Sequence, residues 1–415
     1  MIKIIRDAGC ATLAVAVFAG GMLNAAVAQD AGVAAGGGDD YTPRGARVGS
    51  FMFYPKLEVT ESYNDNLYAA DTAAKSDWVT DVKPSFNLNS DWNNHAFNLK
   101  ANSDVRRHKS YSDENVEEYS IAADGRIDVR KATKVTLGAG EDWKTEERSS
   151  PDDTAGKNPT EYTVQNINAG IETKPNRVSV ALNGTFDKSN YDDTTGATGT
   201  VTNNDDRDRR KLEGTLKVGY EIVPEYEAFV KVSYNDINYA SAVDDNGFNR
   251  DSDGYKALVG AAIDLSKVLN GDVAVGYMSQ DYKDANLLDP SGWSAEASLT
   301  WTPTQLTDVK LTASRSVDES TTNNVSSLVN TSYGVTVSHE LKRNISLGAR
   351  AQMSSNDQQG ASVSDDTLTL GANVDYKLNR NLYAGADYQR KDKNSTTNTS
   401  DYIENIFKVK LGAQF

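Results

Sequence analysis

The chain ends on NIFKVKLGAQF (residues 405–415), in which Phe407, Val409, Leu411, Ala413 and Phe415 alternate with Lys408, Lys410, Gly412 and Gln414. Period-two alternation of this kind marks a strand with one apolar and one polar face. A free C-terminal tail is normally polar and poorly ordered. An apolar last residue therefore implies that the end is tied into structure or read by a partner.

The same pattern recurs upstream. Phe97, Leu99, Ala101, Ser103 and Val105 form one set, and Tyr119, Ile121, Ala123, Gly125, Ile127 and Val129 a second. Leu212, Gly214, Leu216, Val218, Tyr220 and Ile222 form another, as do Trp293, Ala295, Ala297, Leu299 and Trp301. Short turns at Asn93-Asn94, Lys131-Ala132, Pro175-Asn176, Pro224-Glu225, Leu269-Asn270, Pro303-Thr304, Lys342-Arg343 and Asn379-Arg380 separate hairpins. Between the turns lie long polar segments such as 149–160, 192–210 and 354–366. Such spacing predicts an all-β, antiparallel transmembrane barrel of about 18 strands over 51–415, with short periplasmic turns and long extracellular loops. Tyr63, Tyr162, Tyr234, Tyr255, Tyr282, Tyr333, Tyr388 and Tyr402 fall near strand ends, where an interfacial aromatic girdle is expected. A secreted β-sandwich is the competing reading, but its strands tend to be shorter than spans of about 9–11 residues.

Composition agrees with a wall that is half polar. Charged residues make up 25% of the chain and the net charge is -16, which gives no cationic footprint for nucleic acid. After the first residues no apolar run reaches the length of a membrane helix. At the N-terminus, Lys3 and Arg6 precede an apolar stretch that closes on Ala26-Val27-Ala28. We read 1–28 as a signal peptide cleaved between Ala28 and Gln29, and 29–50 as a flexible periplasmic tail. Cys10 is the one cysteine and lies in that leader, so disulfide and thiolate chemistry are not expected in the mature chain.

The last strand resembles the C-terminal signature of Gram-negative outer-membrane proteins. That resemblance assigns Phe407, Val409, Leu411, Ala413 and Phe415 to an assembly signal, and implies the barrel assembly machinery as a partner; Ala413 stands where many such proteins have an aromatic. FMFYPKLEVTESYNDNLYAA (51–70), with its Tyr63-Asn64-Asp65-Asn66 segment, is similar to the opening of the putative beta-barrel porin 2 family. Members of that family often accompany exopolysaccharide or capsule genes. The resemblance thus implies residence in the Gram-negative outer membrane, contact with lipopolysaccharide, and a porin-like role in passive solute passage or exopolysaccharide export with its export apparatus.

Parity places Lys100, Asp104, Arg106, Asp124, Arg126, Glu213, Lys217, Lys231, Glu296, Lys310, Arg350, Asp375, Asp387, Lys408 and Lys410 on the polar, channel-lining face. Mixed charge on such a face orders water and filters solutes by size and charge. Each residue taken singly is also read as a salt-bridged wall residue. The acidic stretch DDNGFNRDSDG (244–254) fits a calcium loop poorly and is expected to be a solvated surface loop. His95, His108 and His339 are far apart in the sequence and lack a Ser/Asp set, so neither an enzyme, a metal site nor a cofactor is expected. The alternative to a channel is a non-conducting structural or surface-binding barrel plugged by its own loops, of which 192–210 is one candidate.

Overall fold

The computed structural model describes residues 41–415 apart from 155, 197, 198, 266, 267, 398 and 399. The leader with its Ala28/Gln29 boundary and residues 29–40 of the tail lie outside the described residues. The barrel opens with β1 (Phe51–Asn64), β2 (Asp77–Ser90), β3 (Ala96–His108), β4 (Val116–Arg130), β5 (Thr133–Thr145) and β6 (Glu161–Thr173). It continues through β7 (Val178–Tyr191), β8 (Arg209–Val223), β9 (Tyr226–Tyr239), β10 (Ser252–Leu265), β11 (Leu269–Tyr282) and β12 (Ser291–Thr304). β13 (Thr307–Glu319), β14 (Ser327–Lys342), β15 (Ile345–Gln359), β16 (Ser364–Lys377), β17 (Leu382–Ser395) and β18 (Tyr402–Gln414) complete it.

Each strand pairs antiparallel with the next, and β18 returns to pair with β1 through Leu57↔Ala413, Val59↔Leu411 and Tyr63↔Phe407. The result is a closed barrel of 18 strands. Closure leaves no row of unpaired backbone groups, the condition for a sheet to sit in hydrocarbon. The C-terminal Phe415 N–H donates to the Pro55 carbonyl at 3.1 Å, so the apolar end of the chain is held against β1.

Register then sorts the side chains, because directly opposed residues in a ladder share a face. The odd residues of β18 lie outside, with Val409 and Leu411 61% and 64% exposed, and Lys408 and Lys410 lie inside. Outside, the row continues with Ile167, Leu182, Leu216, Val230, Val259 and Val275, all exposed apolar side chains. A belt of this composition cannot be a water-facing surface without cost, at about 25 cal/mol per Å² of apolar area.

Several expectations shift in detail. The turns placed at Leu269-Asn270 and Pro303-Thr304 are strand residues, paired as Leu265↔Leu269 and Thr304↔Thr307. Part of the tail expected to be flexible is ordered, since Ala46–Val48 pairs antiparallel with Phe51–Phe53. Gly45 precedes it at φ +67°, where an added Cβ would lie 2.7 Å from the Tyr54 ring. Arg47 reinforces this ribbon by an ion pair to Asp91.

Tyr162, Tyr282 and Tyr402 do not belong to the outer girdle. Their positions pair with Lys144, Ser252 and Lys393 on the inner face, and Tyr282 and Tyr402 are buried there. Nearness to a strand end placed them in the girdle, whereas parity decides the side. One more inward tyrosine, Tyr383, lies across Gly412, where a Cβ would approach its ring to 2.0 Å, and its hydroxyl bonds Glu58. An aromatic laid over a strand glycine pins the register at the β17–β18–β1 seam.

Candidate functional site: the lumen and its mouth

The ladder places all fifteen charged residues read from parity on the inner face, opposite residues that also point inward. Asp124 faces Asn98, Lys100 faces Asn87 and Lys310 faces Thr300 and Thr336. Many are neutralised by a neighbour on the same strand or up to three strands away. Arg350 forks onto Asp387 at 2.8 and 3.2 Å, and Lys410 reaches Asp375 at 2.9 Å. Glu296 is held between Lys231 at 2.6 Å and Lys256 at 2.5 Å. Asp104 pairs with Lys83 at 3.1 Å, Arg106 with Glu118 at 2.6 Å, Arg126 with Asp128 at 3.1 Å and Glu213 with Lys211 at 3.1 Å. Lys217 instead rests 3.9 Å from the centre of the inward Phe229 ring, and Lys408 stands opposite Asp387 and Ser62 in register.

The extracellular mouth is built differently. From Thr145 the chain turns inward rather than outward. Glu146 accepts two bonds from Arg207, at 3.0 and 2.7 Å, and Arg148 forks onto the buried Glu114 at 3.0 and 2.8 Å. Beyond these anchors the segment reaches across. Ser149 accepts a bond from Lys391 Nζ of β17 at 3.0 Å. Asp152 Oδ1 accepts the hydroxyls of Ser320 and Thr322, both at 2.8 Å, on the loop between β13 and β14. In an 18-strand ring, β13 stands nearly opposite β5, so residues 146–153 span the mouth. Against the wall the segment leaves a cavity of about 320 Å³ lined by Arg148, Pro151, Gln358, Asp365, Lys393 and Tyr402.

Two further loops brace it. Segment 244–254 is not the solvated surface loop its composition suggested. Asp244 and Arg250 are buried and joined at 2.6 Å, and Asp244 Oδ1 also accepts the N–H groups of Asn246 and Phe248. Arg250 donates to the carbonyls of Ser320, Val325 and Thr322, the latter two at 2.8 and 3.3 Å, and so holds the loop on which Asp152 depends. An acidic loop escapes solvent here because one arginine pairs with its Asp244 and donates across to three carbonyls of the neighbouring loop. The described residues of segment 192–210, the candidate plug, bond to neighbouring loops: the Thr195 carbonyl accepts the Lys157 N–H at 2.7 Å and Arg207 holds Glu146. They buttress the crossing segment instead of crossing.

Tyr68 and Tyr111 complete the rim, their rings 5.6 Å apart with Lys75 over both. Burial, then the Glu114 carboxylate, pushes the Tyr68 hydroxyl up to about 12, so it stays a neutral part of the wall.

The histidines remain separate. His95 accepts the Asp128 N–H at a turn, and His339 bonds Thr307 on another hairpin. Among the described residues no group of three or more His, Cys, Asp or Glu side chains is arranged to hold a metal.

A family model described as putative beta-barrel porin 2 matches residues 39–415. The chain belongs to that family. No curated protein sequence matches this porin-family barrel. Among solved structures it is similar to the siderophore receptor PirA from Acinetobacter baumannii, with 9% identity and a TM-score of 0.46, covering 88% of this chain and 80% of that one. It is also similar to Pseudomonas aeruginosa OccK3 (OpdO), with 11% identity, a TM-score of 0.43 and coverage of 88% and 95%. Pseudomonas aeruginosa OpdK with vanillate gives 10% identity, a TM-score of 0.41 and coverage of 88% and 99%. The porin-like, outer-membrane character of this barrel is that of its family.

Proposed function

We propose that this barrel is a Gram-negative outer-membrane channel for passive passage of polar solutes, narrowed at its extracellular mouth by residues 146–153. The observation that carries the reading is a closed 18-strand lumen lined by paired charges of both signs. Barrels of 16–18 strands are wide enough for an aqueous path, and facing charges there act on solutes by size and sign. No covalent step and no cofactor enter this reading. Export of an exopolysaccharide is its more specific form, suggested by the family resemblance, and it requires the mouth segment to move aside for a polymer.

Planar-bilayer recording of the refolded barrel tests it. Stepwise conductance is expected. Glu296→Gln leaves Lys231 and Lys256 without their shared carboxylate and is expected to move the reversal potential in a salt gradient toward anion preference. A conducting barrel whose reversal potential ignores Glu296→Gln would remove this residue from the ion path. Silence from a folded barrel would favour the sealed reading, which the crossing segment itself supports.

The assembly signal is also a proposal. Phe407, Val409, Leu411 and Phe415 stand on the outer face of the closing strand and are all exposed, accessible to an assembly factor before closure. Deleting Phe415 is expected to lower the fraction of barrel assembled in cells while leaving detergent refolding nearly unchanged, because only one terminal backbone bond is lost. Equal loss in both assays would make the residue structural.

A further inference from the structure

On the outer face, above the apolar belt, two cations oppose each other. Lys188 of β7 and Arg210 of β8 are direct ladder partners, both exposed, one step beyond the apolar pair Phe186↔Leu212. Like charges directly opposed across a ladder are destabilising, so this arrangement needs a compensating anion. The chain withholds one. Lys188 feels the Asp208 carboxylate, but Asp208 accepts the Tyr191 N–H at 2.7 Å, and no carboxylate among the described residues lies within ion-pair distance of either cation.

The flanking positions explain why. Gln165 stands opposite Lys188 and donates to Glu141 at 3.0 Å, while Asn238 stands opposite Arg210 and donates to Asp236 at 2.9 Å. On each side an amide stands between cation and carboxylate and bonds one oxygen of the acid, leaving no direct ion pair to Lys188 or Arg210. By contrast Arg107 and Arg390, also at the rim, are paired with Glu117 and Asp392. The exposed Tyr234 lies two rows below on the same face, paired with Gly214, at the depth where a hydrocarbon belt meets headgroups.

We propose that Lys188 and Arg210 bind the phosphate of a phosphorylated lipid headgroup in the outer leaflet. The proposal rests on the outer-membrane reading above but not on conduction. An ammonium and a planar guanidinium side by side offer a phosphate both a point charge and a fork, and Phe186 and Leu212 directly beneath them face the acyl chains.

The test uses the full-length refolded barrel in phosphatidylcholine nanodiscs carrying phosphorylated or dephosphorylated lipid A, with retained lipid counted by native mass spectrometry. The barrel is expected to retain the phosphorylated form preferentially, and Lys188→Ala/Arg210→Ala to retain about tenfold less. Lys188→Arg should keep the lipid, and Arg390→Ala should change nothing. Equal retention by the double variant, or equal retention of dephosphorylated lipid A, would overturn the site. Displacement by millimolar inorganic phosphate would overturn the lipid assignment in favour of a free anion. Heat-modifiable mobility reports folding and insertion: a barrel that inserts, retains lipid and does not conduct leaves this proposal standing while the channel reading fails.

Discussion

Asp152→Ala combined with Lys391→Ala is expected to raise single-channel conductance several-fold, and shortening 147–153 to a tight turn to raise it further. The far contacts of the segment include two hydroxyl bonds to Asp152 Oδ1 at 2.8 Å and one bond from Lys391 to Ser149 at 3.0 Å. Each is worth about 0.5–1.5 kcal/mol net, more where a charge takes part. Removing the far anchors frees the tip while the near anchors, Glu146–Arg207 and Arg148–Glu114, stay in place. The β-ladder is untouched, so the barrel should show unchanged heat-modifiable mobility. Conductance equal to that of the parent would mean that solutes do not pass beneath this segment, and would end its role as a filter.

Arg250→Ala is expected to melt the mouth without opening the barrel. Asp244 and Arg250 are both almost wholly enclosed and joined at 2.6 Å, and the guanidinium serves three carbonyls besides. Breaking a buried pair from one side strands the other charge and costs about 3–5 kcal/mol. That loss falls on loops resting above a closed ladder, so local opening precedes global unfolding. Protease cleavage and amide exchange should rise in 244–250 and 320–326, with the strands still protected. Because Ser320 and Thr322 lie on the second of these loops, Arg250→Ala should also raise conductance in the same direction as the Asp152 variant. Local opening without a conductance change would separate the clamp from the filter; protection unchanged throughout would show that the buried pair contributes little.

Much of this molecule is legible in the chain. Alternation in Phe407–Phe415 and its repeats is set by the pleat, which sends successive side chains to opposite faces. Once hairpins are recognised, that parity alone places Lys408, Arg350 or Glu296 inside. It fails where position along a strand is used in place of parity, as with Tyr162, Tyr282 and Tyr402, which point inward. A similar reason moves two expected turns: Leu269-Asn270 and Pro303-Thr304 look like turn chemistry, yet they are strand residues, and the second turn falls at 305–306.

The mouth was not legible. SSPDDTAGKNPT has the composition of any exposed loop, and DDNGFNR reads as a solvated acidic stretch. Nothing local tells that Arg250 will meet carbonyls some seventy residues away, or that Asp152 will meet Ser320 and Thr322 on the far side of the ring. The same holds for Lys188 and Arg210, whose neighbours in sequence say nothing of their being cross-strand partners. Strand identity and the polar or apolar side of each residue follow from period-two patterning, a property of neighbours in the chain. Which charges neutralise one another, which loop crosses the lumen and which cations stay bare follow from strand register and closure, which bring distant residues to one height of the wall only once all 18 strands are in place.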